Sequence, residues 1–476
     1  MMYETVIGLE IHVELKTQSK IFCSCSTAFG APPNTQICPV CTGMPGALPV
    51  LNRTTVEYAI RAGLATNCAI APYSKLDRKN YVYPDLPKAY QISQYDLPLC
   101  ANGYITLETE QGEKTVRITR IHLEEDAGKL THDPVQGTLL DCNRCGVPLI
   151  EIVTEPDLRS PEEAAAFLEK LRAILLYTGI SDCKMNEGSM RCDVNLSVRE
   201  LGESALSQRA EIKNLNSFQS VRRAAQYEAA RQIRAIEAGE AIVQETRRFD
   251  QASGKTYTMR RKENADDYRY FPDPDLCAIV TDRTEVEKIA AALPILPEAR
   301  KRRYMARYNL AAPTAAQLTF EREVADYFEA VAQQTAYPKV AANLLTGTMF
   351  RLREAEESLA ARIEAAHFAA LCELTGSGCL SASAAKRVLN AMWETGKAPG
   401  TLAEEMGLFK LSDEVVLTAL VQEAIKENPK AAADYRAGKK DALQALMGFV
   451  MKAASGKADP QMLKAILERE ASSNVQ

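Results

Sequence analysis

The chain has 476 residues, 46% hydrophobic and 25% charged, with a formal net charge of −5. That length predicts two or three domains, the composition excludes a disordered chain, and the charge excludes indiscriminate polyanion binding while leaving room for a local basic patch. No apolar run reaches the length of a membrane span, the first residues lack a signal-peptide pattern, and the 13 cysteines read as reduced thiols or metal ligands, so the expected compartment is the cytoplasm.

Residues 4–15 alternate strictly. Ile7, Leu9, Ile11, Val13 and Leu15 face one way, and Glu10, His12 and Glu14 the other, which predicts a half-buried strand. A strand advances about 3.3 Å per residue, so Glu10 and His12 project from one face roughly 7 Å apart.

Cys23-Ser24-Cys25 follows, then Cys38-Pro39-Val40-Cys41 after a gap of twelve residues. Two close pairs of thiols match a tetrahedral zinc site of the structural type, and the surrounding prolines and glycines suit a loop pinned by metal. The alternative is four unrelated buried thiols, since free cysteine packs as a small hydrophobe. Cys142 and Cys145 form a weaker pair without an obvious second pair, although Cys183 and Cys192 lie further along the chain. Ordinary thiols are the better reading there.

Residues 77–90, Asp-Arg-Lys-Asn-Tyr-Val-Tyr-Pro-Asp-Leu-Pro-Lys-Ala-Tyr, are dense in tyrosine, proline and charge, as in a rigid functional loop. Carboxylates follow at Glu124-Glu125-Asp126, after His122, and at Glu151 amid aliphatics. An isolated buried carboxylate needs a cation or donors. A salt bridge to lysine or arginine is the simpler reading of Glu151, and a divalent cation shared by the acidic segments is the other.

Ser160, Pro161 and Glu163 open a helix that Gly179 ends. Residues 189–199 repeat the strand alternation, with Arg191, Asp193, Asn195 and Ser197 on the polar face, and Ser217 opens a second helix towards Gly239. Gly254-Lys255-Thr256 resembles the end of a phosphate-binding loop, but Phe249 stands where the first glycine is required, so it reads as a hairpin turn. A second tyrosine-rich stretch runs from Asp266 to Pro272.

From Leu276 onward the alternation fades. Pro294 and Pro297 mark a boundary, after which helix formers dominate. Arg300, Lys301, Arg302, Arg303 and Arg307 make a basic run that is either a solvated helix face or a phosphate contact. Near Gly407 the helical part divides again, with Ser412 as a cap for the next helix, and the last piece carries Gly438-Lys439-Lys440 and Gly456-Lys457. The expected class is α+β: a sheet-and-helix catalytic domain over residues 1–293, an all-helical domain over 294–406 and a small helical tail over 407–476.

Residues 4–15 (Glu-Thr-Val-Ile-Gly-Leu-Glu-Ile-His-Val-Glu-Leu), the 77–90 stretch, Glu124-Glu125-Asp126-Ala127-Gly128-Lys129 and Asp267-Tyr268-Arg269-Tyr270-Phe271-Pro272 closely resemble the family of aspartyl/glutamyl-tRNA(Asn/Gln) amidotransferase B subunits, in order and along the whole chain. The resemblance implies a cradle-like catalytic domain, a helical domain and a tRNA-binding tail. It also implies a heterotrimer with two partners, an amidase (glutaminase) that is the A subunit, plus a small C subunit. It places zinc on Cys23, Cys25, Cys38 and Cys41, and magnesium on His12, Glu125 and Glu151, with Glu10 close enough to join a second ion. Strand parity instead puts Glu124 beside His122, whereas Glu125 continues the Ile121–Leu123 face and needs a turn. A histidine ligand is unusual for magnesium and admits manganese.

The implied reaction uses ATP to phosphorylate the side-chain carboxylate of Glu-tRNA(Gln) or Asp-tRNA(Asn). Ammonia from the partner then displaces phosphate. Catalysis would rest on Glu10, His12, Glu125, Glu151 and Lys79, with Lys79 or Arg78 as a fixed positive charge. Lys79, Tyr81, Lys88 and Tyr90 would line the ammonia passage, and Arg302, Arg303, Lys439 and Lys440 would contact tRNA. The alternative function is a non-catalytic, zinc-stabilised tRNA-binding scaffold in which Glu10, His12 and Glu151 are structural ion pairs.

Overall fold

The computed structural model describes residues 2–110, 112–261, 265–354, 358–410, 414–437, 439, 441–454 and 458–472. They divide into two compact units, Met1–Leu296 and Pro297–Gln476. The class is α+β. Among the described residues no helix is long and apolar enough to cross a membrane.

The first unit runs in the order β1 (Tyr3–Glu14), α1 (Arg53–Ala65), β2 (Ala69–Ile70), β3 (Tyr73–Ser74), β4 (Asp77–Asn80), β5 (Tyr90–Ser93), β6 (Cys100–Thr109), β7 (Gly112–Glu125), β8 (Lys129–Asp133), β9 (Gly137–Asp141), β10 (Pro148–Thr154), α2 (Pro161–Thr178), β11 (Met190–Glu200), β12 (Ala210–Lys213), α3 (Phe218–Glu237), β13 (Glu245–Asp250), β14 (Lys255–Arg261), β15 (Phe271–Pro272), β16 (Ile279–Val280) and α4 (Arg283–Ala292). Among the described residues the main sheet has the order β14-β13-β12-β11-β1-β10-β7-β6-β2. Its neighbours are antiparallel except β12 and β13, which α3 joins as a parallel crossover. A small sheet, β15-β4-β5, carries the tyrosine-rich stretches.

Alternation decides which face of the sheet is covered. Ile7, Leu9, Ile11 and Val13 of β1 are buried in one core with Val194 and Leu196 of β11, Phe167, Leu168 and Leu171 of α2, and Val221 and Ala224 of α3. The helices start where their caps dictate. Ser160 accepts the backbone N–H of Glu163 at 3.1 Å, while the Glu163 carboxylate accepts from the backbone of Arg159 rather than from the cap itself. Gly179 ends α2 in the left-handed region at φ 72°, a conformation that glycine adopts without Cβ strain. Ser217 caps α3 through Ser220. Gly254, also at positive φ, closes the β13–β14 hairpin, as its sequence predicts.

Apolar packing is not the only tie between α3 and the sheet edge. Glu228 on α3 is fully buried. It accepts from Arg231 Nη2 at 2.6 Å and from Thr256 Oγ1 at 2.8 Å, and lies 3.2 Å from Arg247 Nε. Those cations compensate the desolvation of its charge.

The second unit is helical from Pro297–Tyr308 to Pro460–Ser472. Among the described residues it holds two apolar cores, one built from Tyr304, Phe328, Phe368 and Met392 among others, the other from Leu417, Val421, Leu446 and Leu463. The expected cap Ser412, and Gly438, Lys440, Gly456 and Lys457, lie outside the described residues.

Glu228→Ala should destabilise the first unit by about 3–5 kcal/mol, because it removes the buried carboxylate that Arg231, Arg247 and Thr256 share. Breaking the exposed Arg222–Glu162 pair by Glu162→Ala should change stability by less than about 1 kcal/mol. Urea melts of the two variants check the contrast, and equal losses would refute it.

Candidate active site on the polar face of the sheet

The register of three strand pairs builds the site. His12 of β1 stands opposite Glu151 of β10 on one side and Arg191 of β11 on the other, and Glu151 stands opposite His122 of β7. His122, Glu151, His12 and Arg191 therefore form a row across four adjacent strands. Neighbouring strands lie about 4.8 Å apart, so such side chains touch. Glu124 lies two residues beyond His122 on the same face of β7.

His12 Nε2 is 3.3 Å from Glu151 Oε2 and 3.8 Å from Glu124 Oε2. His122 Nε2 is 3.4 Å from Glu124 Oε1 and 3.5 Å from Glu151 Oε2. One ligand atom from each of His12, Glu124 and Glu151 lies within 4.8 Å of the other two. Glu124 also accepts from Ser93 Oγ at 2.8 Å and Gln91 Nε2 at 3.4 Å, both on β5.

Charge in this pocket is balanced. Burial pushes Glu151 up, but His122, the hydrogen bond from His12 and the Lys79 charge hold it well below the usual carboxylate range. Burial and the Glu151 charge push Glu124 up, and the hydrogen bond from His122 with the Lys79 charge holds it below its ordinary value. Burial alone would lower His12, yet its hydrogen bond to Glu151 and the charges of Glu151, Glu124 and Asp193 raise it to about 9. Lys79 keeps its charge against burial because Glu124 and Glu151 face it. Its Nζ lies 5.1 Å from the ring centre of Tyr268 and 5.9 Å from that of Tyr81, and Tyr270 stacks on Tyr95 at 4.4 Å. An aromatic collar thus surrounds the ammonium.

Glu125 is not in this group. Strand alternation turns it to the other face of β7, where it accepts from Lys88 Nζ at 2.6 Å and from the backbone of Ile92 at 2.8 Å. Glu10 belongs to a neighbouring acidic group with Asp193 and Glu211. There Asn195 donates to Glu10 at 2.8 Å, and Lys213 pairs with Asp193 and Glu211. Arg78 is committed to Asp273 at 2.7 Å and Asp275 at 2.9 Å, with Tyr90 4.3 Å beneath it. It ties β4 to the segment after β15 and leaves Lys79, with His12, to face the carboxylates. Tyr90 and Lys88 adjoin each other at 5.4 Å. Sequence reasoning missed Asp193 and Glu211 as partners of Glu10, although the polar face of β11 already displayed Asp193.

The thiols of Cys23, Cys25, Cys38 and Cys41 converge within 4.8 Å. Cys41 accepts from the backbone of Cys38 at 3.2 Å. Its hydrogen bond with Cys23, that backbone bond and the Lys20 charge bring its pKa down to about 4. Lys20 is fully buried, 3.5 Å from Cys41 Sγ and 3.3 Å from the Cys142 carbonyl. Among the described residues no metal-type group contains Cys142, Cys145, Cys183 or Cys192. In the helical unit, Arg302 lies 3.5 Å from Glu298, Arg303 pairs with Glu329, and Lys439 lies 3.0 Å from Asp434.

In protein freed of divalent ions, His12 should titrate near pH 9, and Glu151→Gln should bring it down towards its ordinary value. Because the folded-state value is raised, its contribution to stability is complete below about 6.5 and disappears as pH rises through about 9. Imidazole NMR titration with urea melts across that window checks both statements. An ordinary His12 value in the wild type would contradict them.

The description "GatB/GatE catalytic domain" belongs to a family model that matches residues 5–287, and "GatB domain" to one that matches residues 326–470. The chain is 55% identical over 476 residues to the aspartyl/glutamyl-tRNA(Asn/Gln) amidotransferase B subunit of Caldicellulosiruptor saccharolyticus, covering 99% of each chain. It is 52% identical to the protein of that name from Caldanaerobacter subterraneus subsp. tengcongensis, covering 99% of this chain and 100% of the relative. It is 51% identical to that of Carboxydothermus hydrogenoformans, covering 98% of each. With matches of that extent, the chain belongs to the family of aspartyl/glutamyl-tRNA(Asn/Gln) amidotransferase B subunits.

Proposed function

We propose that this protein uses ATP to activate the side-chain carboxylate of Glu-tRNA(Gln) or Asp-tRNA(Asn), and that ammonia from a partner glutaminase then converts it to the amide. The carrying observation is the convergence of His12, Glu124 and Glu151 beneath Lys79. A carboxylate does not surrender oxide to ammonia at a useful rate. Transfer of the γ-phosphoryl group to a carboxylate oxygen breaks the bond to ADP and forms an acyl phosphate, from which ammonia displaces phosphate.

Two carboxylates and one imidazole within 4.8 Å are a donor set that fits a magnesium or manganese ion. Such an ion, when bound, would supply neutralisation of phosphate charge. His12 must give up its proton to ligate, which its partly exposed position permits. Lys79 contributes a fixed positive charge directed at the same space, and the tyrosine collar limits water around it. The four thiols fit zinc in a closed structural site. Their loop reaches the strap that carries Lys88, since a Cβ on Gly43 would stand 3.1 Å from the Lys88 backbone nitrogen.

Lys79, Tyr81, Lys88 and Tyr90 would line the route of ammonia from the amidase (the A subunit), with a small C subunit to complete a heterotrimer. Arg302, Arg303 and Lys439 would meet tRNA by exchanging their present carboxylate partners for phosphates. The names of the relatives support the tRNA substrate and the amidotransferase reaction.

Glu151→Gln keeps the shape and removes a charge. Phosphorylation of the aminoacyl-tRNA by the assembled enzyme should fall at least about 100-fold. Excess ammonium chloride should not restore product, because the missing step precedes ammonia attack. Glutamine hydrolysis by the partner should persist at its uncoupled level. Rescue by ammonium would place Glu151 in the ammonia route, and an unchanged phosphorylation rate would favour the scaffold reading.

Protein purified without chelator should contain about one zinc per chain. Cys38→Ser should release it and loosen residues 23–41 towards proteolysis while the helical unit melts unchanged. Metal analysis of the wild type that finds no zinc would end this assignment.

A further inference from the structure

We infer that His122 is a positioning residue of the candidate metal site: an imidazole that shares its Nε2–H between Glu124 Oε1 and Glu151 Oε2 and thereby leaves Glu124 Oε2 to face His12. The inference rests on the reading of His12, Glu124 and Glu151 as metal ligands.

The argument starts from Arg120, two residues before His122 on the same face of β7. A guanidinium group donates hydrogen bonds and has no acceptor. Arg120 Nε lies 3.3 Å from His122 Nδ1 as donor, so Nδ1 is the acceptor of that bond. The ring proton is left on Nε2. This nitrogen faces two carboxylate oxygens, Glu124 Oε1 at 3.4 Å and Glu151 Oε2 at 3.5 Å, and one N–H can be shared between them. The imidazole is thus fixed on both sides, by a donor that sets its tautomer and by acceptors that use its one proton.

The consequence for Glu124 is directional, whereas Glu151 Oε2 faces both His122 and His12. Glu124 Oε1 receives both His122 and Ser93 Oγ at 2.8 Å. Its other oxygen, Oε2, is the atom that faces His12. His122 itself is 2% exposed, so substrate does not reach it. Its Nδ1 is occupied and its Nε2 carries hydrogen, so neither nitrogen offers a metal a lone pair. It acts on the site through Glu124 and Glu151. Outer-shell donors of this kind typically change metal affinity by about 10–100-fold when removed.

The test uses the full-length chain and Mn2+, followed by electron paramagnetic resonance of the free ion. A glutamine amide can take the place of the Nε2–H donor, whereas leucine cannot. His122→Leu should weaken Mn2+ binding by about 10–100-fold, while His122→Gln should stay within a few-fold of wild type. Unchanged affinity in His122→Leu, or equal loss in both variants, would overturn the inference, the latter by making the imidazole itself a ligand. Nitrogen-15 NMR of the wild type in the absence of metal decides independently of variant folding. A His122 ring protonated at Nε2 alone is expected, and protonation at Nδ1 would overturn it. Wild-type protein that fails to bind Mn2+ while showing the expected tautomer would instead reject the metal reading and, with it, the positioning role towards a metal.

Discussion

Seating β1 between β10 and β11 in antiparallel register sends Ile7, Leu9, Ile11 and Val13 into the helical layer and leaves Glu10, His12 and Glu14 on the opposite face. Strand side chains alternate with a period of two, so a slip of one residue would exchange the two sets. Burying an aliphatic side chain contributes about 1.5–3 kcal/mol, so losing four at once would cost about 6–12 kcal/mol. That is comparable to the whole net stability of a domain. The core therefore dictates where the polar groups stand, and the row of His122, Glu151, His12 and Arg191 follows from packing on the far side of the sheet.

Carboxylates placed this way must be compensated, since burial without partners disfavours their charge. His12 and Lys79 face Glu124 and Glu151, Lys88 takes Glu125, and Lys213 takes Asp193 and Glu211. The small sheet serves this balance. Its β4 and β5 pair Lys79 with Gln91 in register, so one strand presents the cation and the other the Gln91 and Ser93 donors to Glu124. Arg78, alternating with Lys79, points to Asp273 and Asp275 and anchors the aromatic segment that surrounds the ammonium.

The thiol loop lies beside this arrangement. Residues 23–41 contain no helix or multi-residue strand, and their order comes from converging sulfurs and from backbone bonds such as Lys20 to Cys25 and Met44 to Pro39. Gly43 sits at φ 67° against Lys88, a close approach that a side chain would obstruct. The loop thus abuts the backbone of the lysine that holds Glu125.

Local signals were legible in the amino-acid sequence. Alternation gave β1 and β11, caps gave α2 and α3, Gly254 gave a hairpin turn, and two close cysteine pairs indicated thiols that do converge. Strand parity even set Glu124 beside His122. Each of these depends on a few consecutive residues and on the period of strand or helix. Only the tertiary structure decided partners: Glu151 for His12, Asp193 and Glu211 for Glu10, Asp273 for Arg78, Lys88 for Glu125, and Arg120 as the donor that sets the His122 tautomer. Most of these pairings join segments far apart in the chain. They depend on cross-strand register and on which cation reaches a buried carboxylate first, and no short window of sequence contains that geometry.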